Sequence, residues 1–579
     1  MTAPFRAERQ FILLLSPACG MLTLPLLVTL FYTTDKLSFQ QSAALALVLC
    51  VSLTAISVTV WRPSRFDLRV SIPLLLTIAA ISTVMFCAAT LIGESQSILY
   101  IDGSDHGGYA HAADWLLSHS FKQQPVLSPE HPYHSWPVVM FSGDFRYSAF
   151  VFMALMATLN GTSGLFAYDI ACAVGISIAC LSVAAVFASS RFMITALALF
   201  LLTTVWFELG RDGFFGKLMA YPSCLFLLGL FMTSYRGLTS QKMAAFCILA
   251  LGVATMHSGI ITALFVAGVG GLFICINYLL GDDKEDTIGR FMCLAAIALV
   301  AISSNGMFSR PTPGPGSPIG YSANWADLFE HLLEIQNHAR TYRSVSGTWL
   351  VPGASLALLI HVALIVIAVL RRNAIALALT AGPLLIVILL VVMDAMGFTA
   401  ARYGAYQLIS TIGSFGLCGA VCLLGKDFRF GSRDWWVVSV VSLSIALVMV
   451  RAPRMVSSAR NYVLDPPVNR IFRLADFDAI AAAVGRGPLL IDVNNDLYGI
   501  AALVEFGRRG IDLQWSPAGW RSVVRYRGWP NPTYESDPIF ILDDRRDRGD
   551  AIVVYESAQY RLIRTRDHSG VEKPTAPRE

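Results

Sequence analysis

The stretch GLFAYDIACAVGISIACLSVAAVF, from Gly164 to Phe187, contains a single charged residue, Asp169. A helix of about 20 apolar residues crosses the roughly 30 Å hydrocarbon core of a bilayer. Similar apolar runs recur from Phe11 to Val450, and the chain of 579 residues is 55% hydrophobic and only 14% charged. Because a water-facing surface needs more charge than this, the sequence predicts a polytopic α-helical membrane protein.

The apolar runs predict about 13 transmembrane helices. They lie at about 11–32, 42–61, 70–92, 164–189, 192–209, 217–235, 243–257, 259–280, 290–308, 349–370, 374–394, 406–424 and 435–450. The first run continues to about Tyr32 and is too long for a signal-peptide core, so we interpret it as a retained helix. The division at the "MHSG" motif is the least constrained, since one long kinked helix would also fit there.

The distribution of basic residues predicts the orientation of these helices. With a cytoplasmic N-terminus, the cytoplasmic segments hold about 15 Lys and Arg residues, and the short outward loops hold four. This agrees with the excess of Lys and Arg that cytoplasmic loops carry. The same topology places loops 93–163 and 309–348 and the whole C-terminal region outside the cytoplasm. Loops of this length are usually functional.

The C-terminal region differs sharply in composition. Residues 451–579 hold 19 Lys+Arg and 17 Asp+Glu, which is 36 of the 82 charged residues. We therefore divide the chain into a transmembrane domain, 1–450, and a soluble extracytoplasmic domain, 451–579. Strand-like GPLLIDVN at 487–494 precedes helix-like LYGIAALVEFGRRG at 497–510, which predicts a small α/β domain. No GxGxxG follows its first strand, so a dinucleotide site is not supported.

Net charge and cysteine positions argue against a nucleic-acid-binding protein and against a disulfide-stabilised protein. The net charge of +4 is too small to indicate a nucleic-acid partner. All 11 cysteines lie within or at the ends of apolar segments, so they read as small buried residues and imply no disulfide framework.

The stretch YIDGSDHGGYAHAADWLLSH, from Tyr100 to His119, places a dense group of titratable residues just outside a predicted span. A partly desolvated carboxylate such as Asp105 could serve as a general base. "DGSD" is also good turn and N-cap sequence, and the structural role is favoured on position alone. The segments YAHAADWLLSHSF (109–121) and RYSAFVFMALMATLNG (146–161) predict loop helices that lie along the membrane interface.

The same stretch resembles the D-E-x-x-Y-A pattern in the first outward loop of GT-C glycosyltransferases. Asp105 falls on the Asp of that pattern, Tyr109 and Ala110 fall on its Tyr-Ala, and His106 replaces the second acid. Near the end of the transmembrane region, ARYGAYQLI at 401–409 resembles the Arg-Tyr that begins a late span in many members. The usual Pro-Pro-Leu opening of the second loop helix is absent, and "FRYSAF" stands there. Two spans, where the family usually has one, precede the span that leads into the Asp loop.

The resemblance implies a membrane enzyme that takes a sugar from a polyprenyl-phosphate donor in the bilayer, as protein mannosyltransferases and lipid A aminoarabinose transferases do. It further implies an acceptor (glycan, lipid or protein) outside the inner membrane of a bacterium, and inversion at the sugar. Asp105 would be the catalytic base and Arg402, with Arg211, would hold the phosphate. Further substrate-binding candidates are Tyr109, His257, Asp102, His106 and Lys217. The C-terminal domain would shape the acceptor groove.

Metal-ligating residues are weakly indicated. His131 and His134 in "EHPYHSW" lack nearby Cys or paired acids, which argues against zinc. Asp102 and Asp105, with Glu208 and Asp212, could offer oxygen ligands to Mg²⁺ or Mn²⁺, although their spacing does not require a cation.

Two other functions compete with this interpretation. An O-antigen ligase or polymerase with a polyprenyl-diphosphate donor would also need outward Arg and His, which "NHARTYR" at 337–343 could supply. A transporter would keep ionisable residues near the middle of its helices and would show internal repeats. The predicted spans are nearly free of charge, which disfavours transport.

The sequence predicts a specific effect at Arg402. A guanidinium can bind two phosphate oxygens at once, whereas an ammonium is a point charge. We therefore expect Arg402→Lys to remain folded but to bind donor more weakly and turn over more slowly, and Arg402→Ala to lose more. Donor binding and transfer are measured beside the wild type. Equal values for the lysine variant would mean that the phosphate lies elsewhere, with Arg211 the next candidate.

Overall fold

A computed structural model describes most of the chain. The described residues are 12–61, 65–87, 97–99, 104–123, 125, 131–142, 146–188, 190–205, 215–234, 237–257, 259–280, 287–307, 350–396, 412–424, 471–485, 487–493, 496–516, 537–544 and 552–565. The predicted span 435–450 and the outward loop 309–348 lie outside these residues.

Helices dominate the described part of the chain before residue 451. They are α1 (Ile12–Tyr32), α2 (Phe39–Trp61), α3 (Arg65–Phe86), α4 (Ser104–Ser118), α5 (Pro132–Ser142), α6 (Tyr147–Asn160), α7 (Gly164–Phe187), α8 (Arg191–Val205), α9 (Phe215–Ser234), α10 (Ser240–Met256), α11 (Gly259–Leu280), α12 (Thr287–Met307), α13 (Leu350–Leu370), α14 (Ala374–Ala395) and α15 (Ile412–Leu424). A short strand, β1 (Ser97–Leu99), precedes α4.

Five helices within the described residues are long and apolar enough to cross a membrane. The qualifying stretches are Leu14–Tyr32, Phe39–Ile56, Gly164–Phe187, Gly259–Leu280 and Thr287–Ser304. Other helices carry shorter apolar stretches, such as Leu218–Ser234 and Ala374–Leu390. These features indicate a membrane protein that is mostly helical, with a small C-terminal sheet. The larger number of about 13 crossings stays a prediction.

The apolar stretch from Gly164 to Phe187 forms the central helix, α7. It contacts α1, α3, α4, α6, α8 and α9, and nearly all of its residues are buried. Small residues permit this close packing, because lipid supplies no hydrophobic force between helices and contact depends on how near their surfaces come. A β-carbon added to Gly175 would overlap the Met219 sulfur, and one added to Gly229 would lie 2.5 Å from the nearest atom of the Phe187 ring.

The predicted helix break at "MHSG" is confirmed. Helix α10 ends at Met256, and α11 begins at Gly259. Inside α11, residues Val266–Gly270 form a π-helical turn. His257, at the break, is 6% exposed, so the end of α10 lies inside the protein.

The C-terminal region folds as an α/β unit. Its elements are β2 (Ile471–Arg473), α16 (Leu474–Val484), β3 (Leu489–Asp492), α17 (Asp496–Arg508), β4 (Leu513–Trp515), β5 (Phe540–Asp543), β6 (Ile552–Glu556) and β7 (Arg561–Arg564). Five strands form a sheet in the order β4-β3-β5-β7-β6. Strand β3 is parallel to β4 and β5, with α17 as the crossover to β4, and β7 is antiparallel to β5 and β6. The small C-terminal sheet predicted from the apolar segments is therefore present.

This unit packs directly on α4 and α5, in the long loop between α3 and α6. Strand β2 pairs with β1, with Ile98 opposite Phe472. Helix α17 contacts α4, α5 and α7, and a shared apolar core joins Ala110 of α4 and Phe166 of α7 to Phe477 of α16. From His106 to Leu116 every residue of α4 is buried, so the helix lies under the domain instead of presenting a polar face to water.

Because α17 packs on α4, any topology must put the C-terminal unit and this loop on one side of the membrane. We expect cysteines at Asp478 and His131, introduced after removal of the native cysteines, to react together with an impermeant maleimide in intact cells. The Asp478 side chain is 61% exposed and His131 is also exposed. A cysteine at Arg371, in the turn between α13 and α14, should be protected as the cytoplasmic control. Reaction at His131 with protection at Asp478 would contradict the topology.

Candidate functional site

Helix α4 carries the residues of the D-E-x-x-Y-A resemblance. Asp105 occupies its first turn, four residues before Tyr109, and the described part of Asp105 is its backbone. The other end of α4 is fixed by Tyr32 of α1, whose hydroxyl donates to the carbonyl oxygens of Leu116 (3.3 Å) and His119. The helix is thus held in place from the membrane side as well as by the C-terminal domain.

His106, which replaces the second acid of the motif, is completely buried. Its ring stacks on that of Tyr168 of α7, with centroids 3.6 Å apart and planes 25° apart. Burial lowers the pKa of His106 to about 3, because an imidazolium would lose its hydration. The ring is therefore neutral at physiological pH, and His106 supplies neither the negative charge of the acid it replaces nor a positive one.

Tyr109 joins the loop helices to α9. Its ring lies 5.5 Å from that of Phe150 of α6 and 5.6 Å from that of Phe215, the first residue of α9. The guanidinium carbon of Arg146 lies 5.5 Å from the centroid of the Tyr109 ring. This distance is typical of a cation–π contact. A cation that is only half buried is thereby held beside the buried tyrosine.

Gly216 permits the close approach of three chain segments at this point. A β-carbon on Gly216 would overlap the Tyr109 hydroxyl and lie 2.9 Å from the carbonyl oxygen of Met256. Lys217 follows Gly216 in α9, and His257 follows Met256 at the end of α10. The fold therefore brings four predicted substrate-binding positions into one region: His106, Tyr109, Lys217 and His257.

The end of α10 is fixed to this region by a pair of hydroxyl groups. Ser148 Oγ of α6 lies 2.7 Å from Thr255 Oγ1, and both residues are buried. His257 packs edge-on against Tyr221, one turn into α9 from Lys217, with ring centroids 5.9 Å apart. We name the region formed by Tyr109, Arg146, Gly216 and His257 the α9 N-terminal site.

Other predicted site residues cannot be placed. Asp102, Arg211 and Arg402 lie outside the described residues, as do Glu208 and Asp212, and only the backbone of Lys217 is described. His131 and His134 are exposed at the start of α5. Within the described part of the chain, no group of three or more His, Cys, Asp and Glu residues could hold a metal ion.

Two polar residues that the sequence analysis did not select have prominent positions. Arg146 was visible as a cation opening the apolar segment "RYSAF", but its partner Tyr109 lies 37 residues earlier in the chain. Asp114 interrupts the apolar "AHAADWLL" and is 1% exposed. A carboxylate within an otherwise apolar helix face is a usable signal, because ionisable residues are rarely buried without a reason.

Comparison with known proteins leaves the assignment to geometry and chemistry. No protein-family model matches this chain, and no curated protein matches it.

Gly216 offers a test of the geometry of the α9 N-terminal site. We expect Gly216→Ala to destabilise the protein by about 1–3 kcal/mol, the usual cost of overpacking, because the added methyl group meets Tyr109 and a backbone carbonyl. Gly20→Ala is the matched control, since nothing lies within 4 Å of its β-carbon position in α1. Thermal unfolding in detergent compares the two. Equal unfolding temperatures would show that Tyr109 does not contact Gly216.

Proposed function

We propose that this protein is a membrane glycosyltransferase that moves a sugar from a polyprenyl-phosphate donor to an extracytoplasmic acceptor, with inversion of the anomeric centre. The observation that carries the proposal is the α9 N-terminal site, where a cation lies beside the motif tyrosine at the ends of apolar helices. The membrane would be the inner membrane of a bacterium, and the donor would enter from the bilayer.

The electrostatics of the α9 N-terminal site favour an anion. When the bond between sugar and phosphate breaks, the phosphate gains negative charge, and cations placed beside it stabilise the transition state. Arg146 offers a guanidinium, which matches two phosphate oxygens. The described part of helix α9 begins at Phe215, and the partial positive charge of a helix N-terminus also favours anions. Arg146 thus joins Lys217, Arg211 and Arg402 as a phosphate-binding candidate.

The proposed reaction is a single displacement. Asp105 removes the proton of the acceptor hydroxyl, and the acceptor oxygen attacks the anomeric carbon from the face opposite the phosphate. The bond between that carbon and the phosphate oxygen breaks, and polyprenyl phosphate leaves with the electron pair. Tyr109 positions Arg146 by its cation–π contact, and the neutral His106 packs the start of α4 against Tyr168. The C-terminal domain, which covers α4, would contribute to the acceptor groove.

The assignment of the base is tested with Asp105→Asn. This change removes the proton acceptor but keeps the shape, and general-base catalysis contributes about 10²- to 10⁴-fold. We expect transfer from a panel of polyprenyl-phosphate sugars to fall within that range while donor binding persists. Asp35→Asn is the matched control, because Asp35 is a carboxylate in the turn between α1 and α2, paired with Lys122 at 3.4 Å. If Asp102→Asn is the inactive variant and Asp105→Asn retains most activity, the base lies three residues earlier.

The phosphate assignment is tested with Arg146→Gln, which removes the charge and keeps hydrogen-bonding capacity. We expect binding of polyprenyl phosphate to weaken while binding of the uncharged polyprenol is unchanged, and transfer to fall by about 10²-fold. Lys122→Gln is the control, since its side chain is 76% exposed in the same loop. Unchanged discrimination between polyprenyl phosphate and polyprenol in the Arg146 variant would remove this residue from the proposal.

A further inference from the structure

Two carboxylates from distant parts of the chain meet at the N-terminus of α7. Asp114 of α4 is 1% exposed, and its Oδ1 accepts a hydrogen bond from the Gly164 amide at 2.8 Å. Glu505 of α17 is completely buried and accepts a hydrogen bond from the hydroxyl of Ser163, the N-cap residue of α7. The helix terminus thus holds one acid from the loop and one from the C-terminal domain, where its partial positive charge favours both.

The two acids are unequally neutralised. Glu505 Oε2 lies 2.5 Å from Arg509 Nη1 and 3.4 Å from Arg508 Nη2, and Arg509 also pairs with Asp478 at 2.7 Å. Asp114 has a different environment: its Oδ2 is buried and has no hydrogen-bond partner among the described residues. A buried carboxylate oxygen without a partner is costly when charged, and a proton removes that cost.

Two further titratable groups among the described residues, His111 on the same helix and Tyr133 of α5, are neutral. His111, one turn earlier on α4, stacks on Tyr133 of α5 with ring centroids 4.5 Å apart. Burial lowers the pKa of His111 to about 3 and raises that of Tyr133. Burial and then the charge of Glu505 raise the pKa of Asp114 from 3.8 to about 7, against the smaller opposite effects of the Gly164 hydrogen bond, Arg508 and Arg509.

We propose that the Asp114–Glu505 pair makes docking of the C-terminal domain on α4 proton-dependent, with the domain held most tightly when Asp114 is protonated. The two acids belong to the two surfaces that meet, so separating the surfaces returns both to water and removes the repulsion between them. The proposal concerns contact between domains and does not depend on the transfer reaction.

The direction and pH window follow from linkage. When the domain is docked, Asp114 holds its proton up to about pH 7, whereas an exposed carboxyl loses it near 3.8. Docking therefore weakens as the pH rises between these values and levels off above about pH 7. His119 and His134, whose pKa values are lowered by partial burial, act in the opposite direction, because acidification charges them more readily when exposed. The sign of the effect thus separates the acid from the histidines.

The test is hydrogen exchange of the full-length protein in lipid nanodiscs from pH 5 to 8, corrected for intrinsic exchange. In the wild type, we expect protection of the α17 amides to fall by up to about tenfold per pH unit and to level off near pH 7. Asp114→Asn keeps the shape and the acceptor for Gly164 but cannot ionise, so its protection should no longer fall as the pH rises. Glu505→Gln removes the repelling charge and should move the levelling-off point to lower pH.

Asp478→Asn is the matched control. It lies in the same domain and pairs with Arg509, but its side chain is 61% exposed and does not adjoin Asp114, so the wild-type profile should persist. Constant protection in the wild type from pH 5 to 8 would overturn the proposal. So would a pH-dependent decline that survives in Asp114→Asn, because the titrating group would then be another residue.

Discussion

The backbones of α4 and α7 approach so closely at Ala110 and Gly164 that no side chain fits between them. A β-carbon on Gly164 would overlap the Ala110 carbonyl oxygen and lie 3.1 Å from its carbon. This approach fixes α4 against the central membrane helix, and the other face of α4 then supports the C-terminal domain. Gly507 of α17 permits a similar close contact between the C-terminal domain and α5, because a β-carbon added there would overlap the Tyr133 ring. Both contacts depend on the absence of a side chain.

Much of this architecture is predictable from local patterns. Apolar runs indicate where α1, α7 and α11 lie, and "MHSG" indicates the break after α10, because hydrophobic length and helix breakers are local properties. Strand β3 and helix α17 of the C-terminal unit follow from the same reasoning. Burial of α4 under that unit could not be predicted, since α4 and α17 are separated by almost 400 residues. The interfacial location expected for YAHAADWLLSHSF was therefore incomplete, because the polar side of this helix is covered by protein.

The residues of the candidate site were only partly predictable from the sequence. Family resemblance selected Tyr109 and His257, and the fold places both near Gly216. Resemblance could not select Arg146, because the motif expected at that position, Pro-Pro-Leu, is absent. Nor could it select Asp114, whose significance depends on Glu505 from the far end of the chain. Contacts over long sequence separations carry no local signature, so the electrostatic part of the site emerges only from the fold.

The neutrality of His106 changes how charge must be balanced in the proposed reaction. A second carboxylate at this position would add negative charge next to Asp105 and would need a cation or a metal ion to offset it. A neutral imidazole stacked on Tyr168 adds none. In the proposed reaction, the positive charge at the α9 N-terminal site would then serve the departing phosphate without having to offset a second acid. Arg146 on Tyr109 and the N-terminus of α9 would therefore suffice for that task without a second acid in the site.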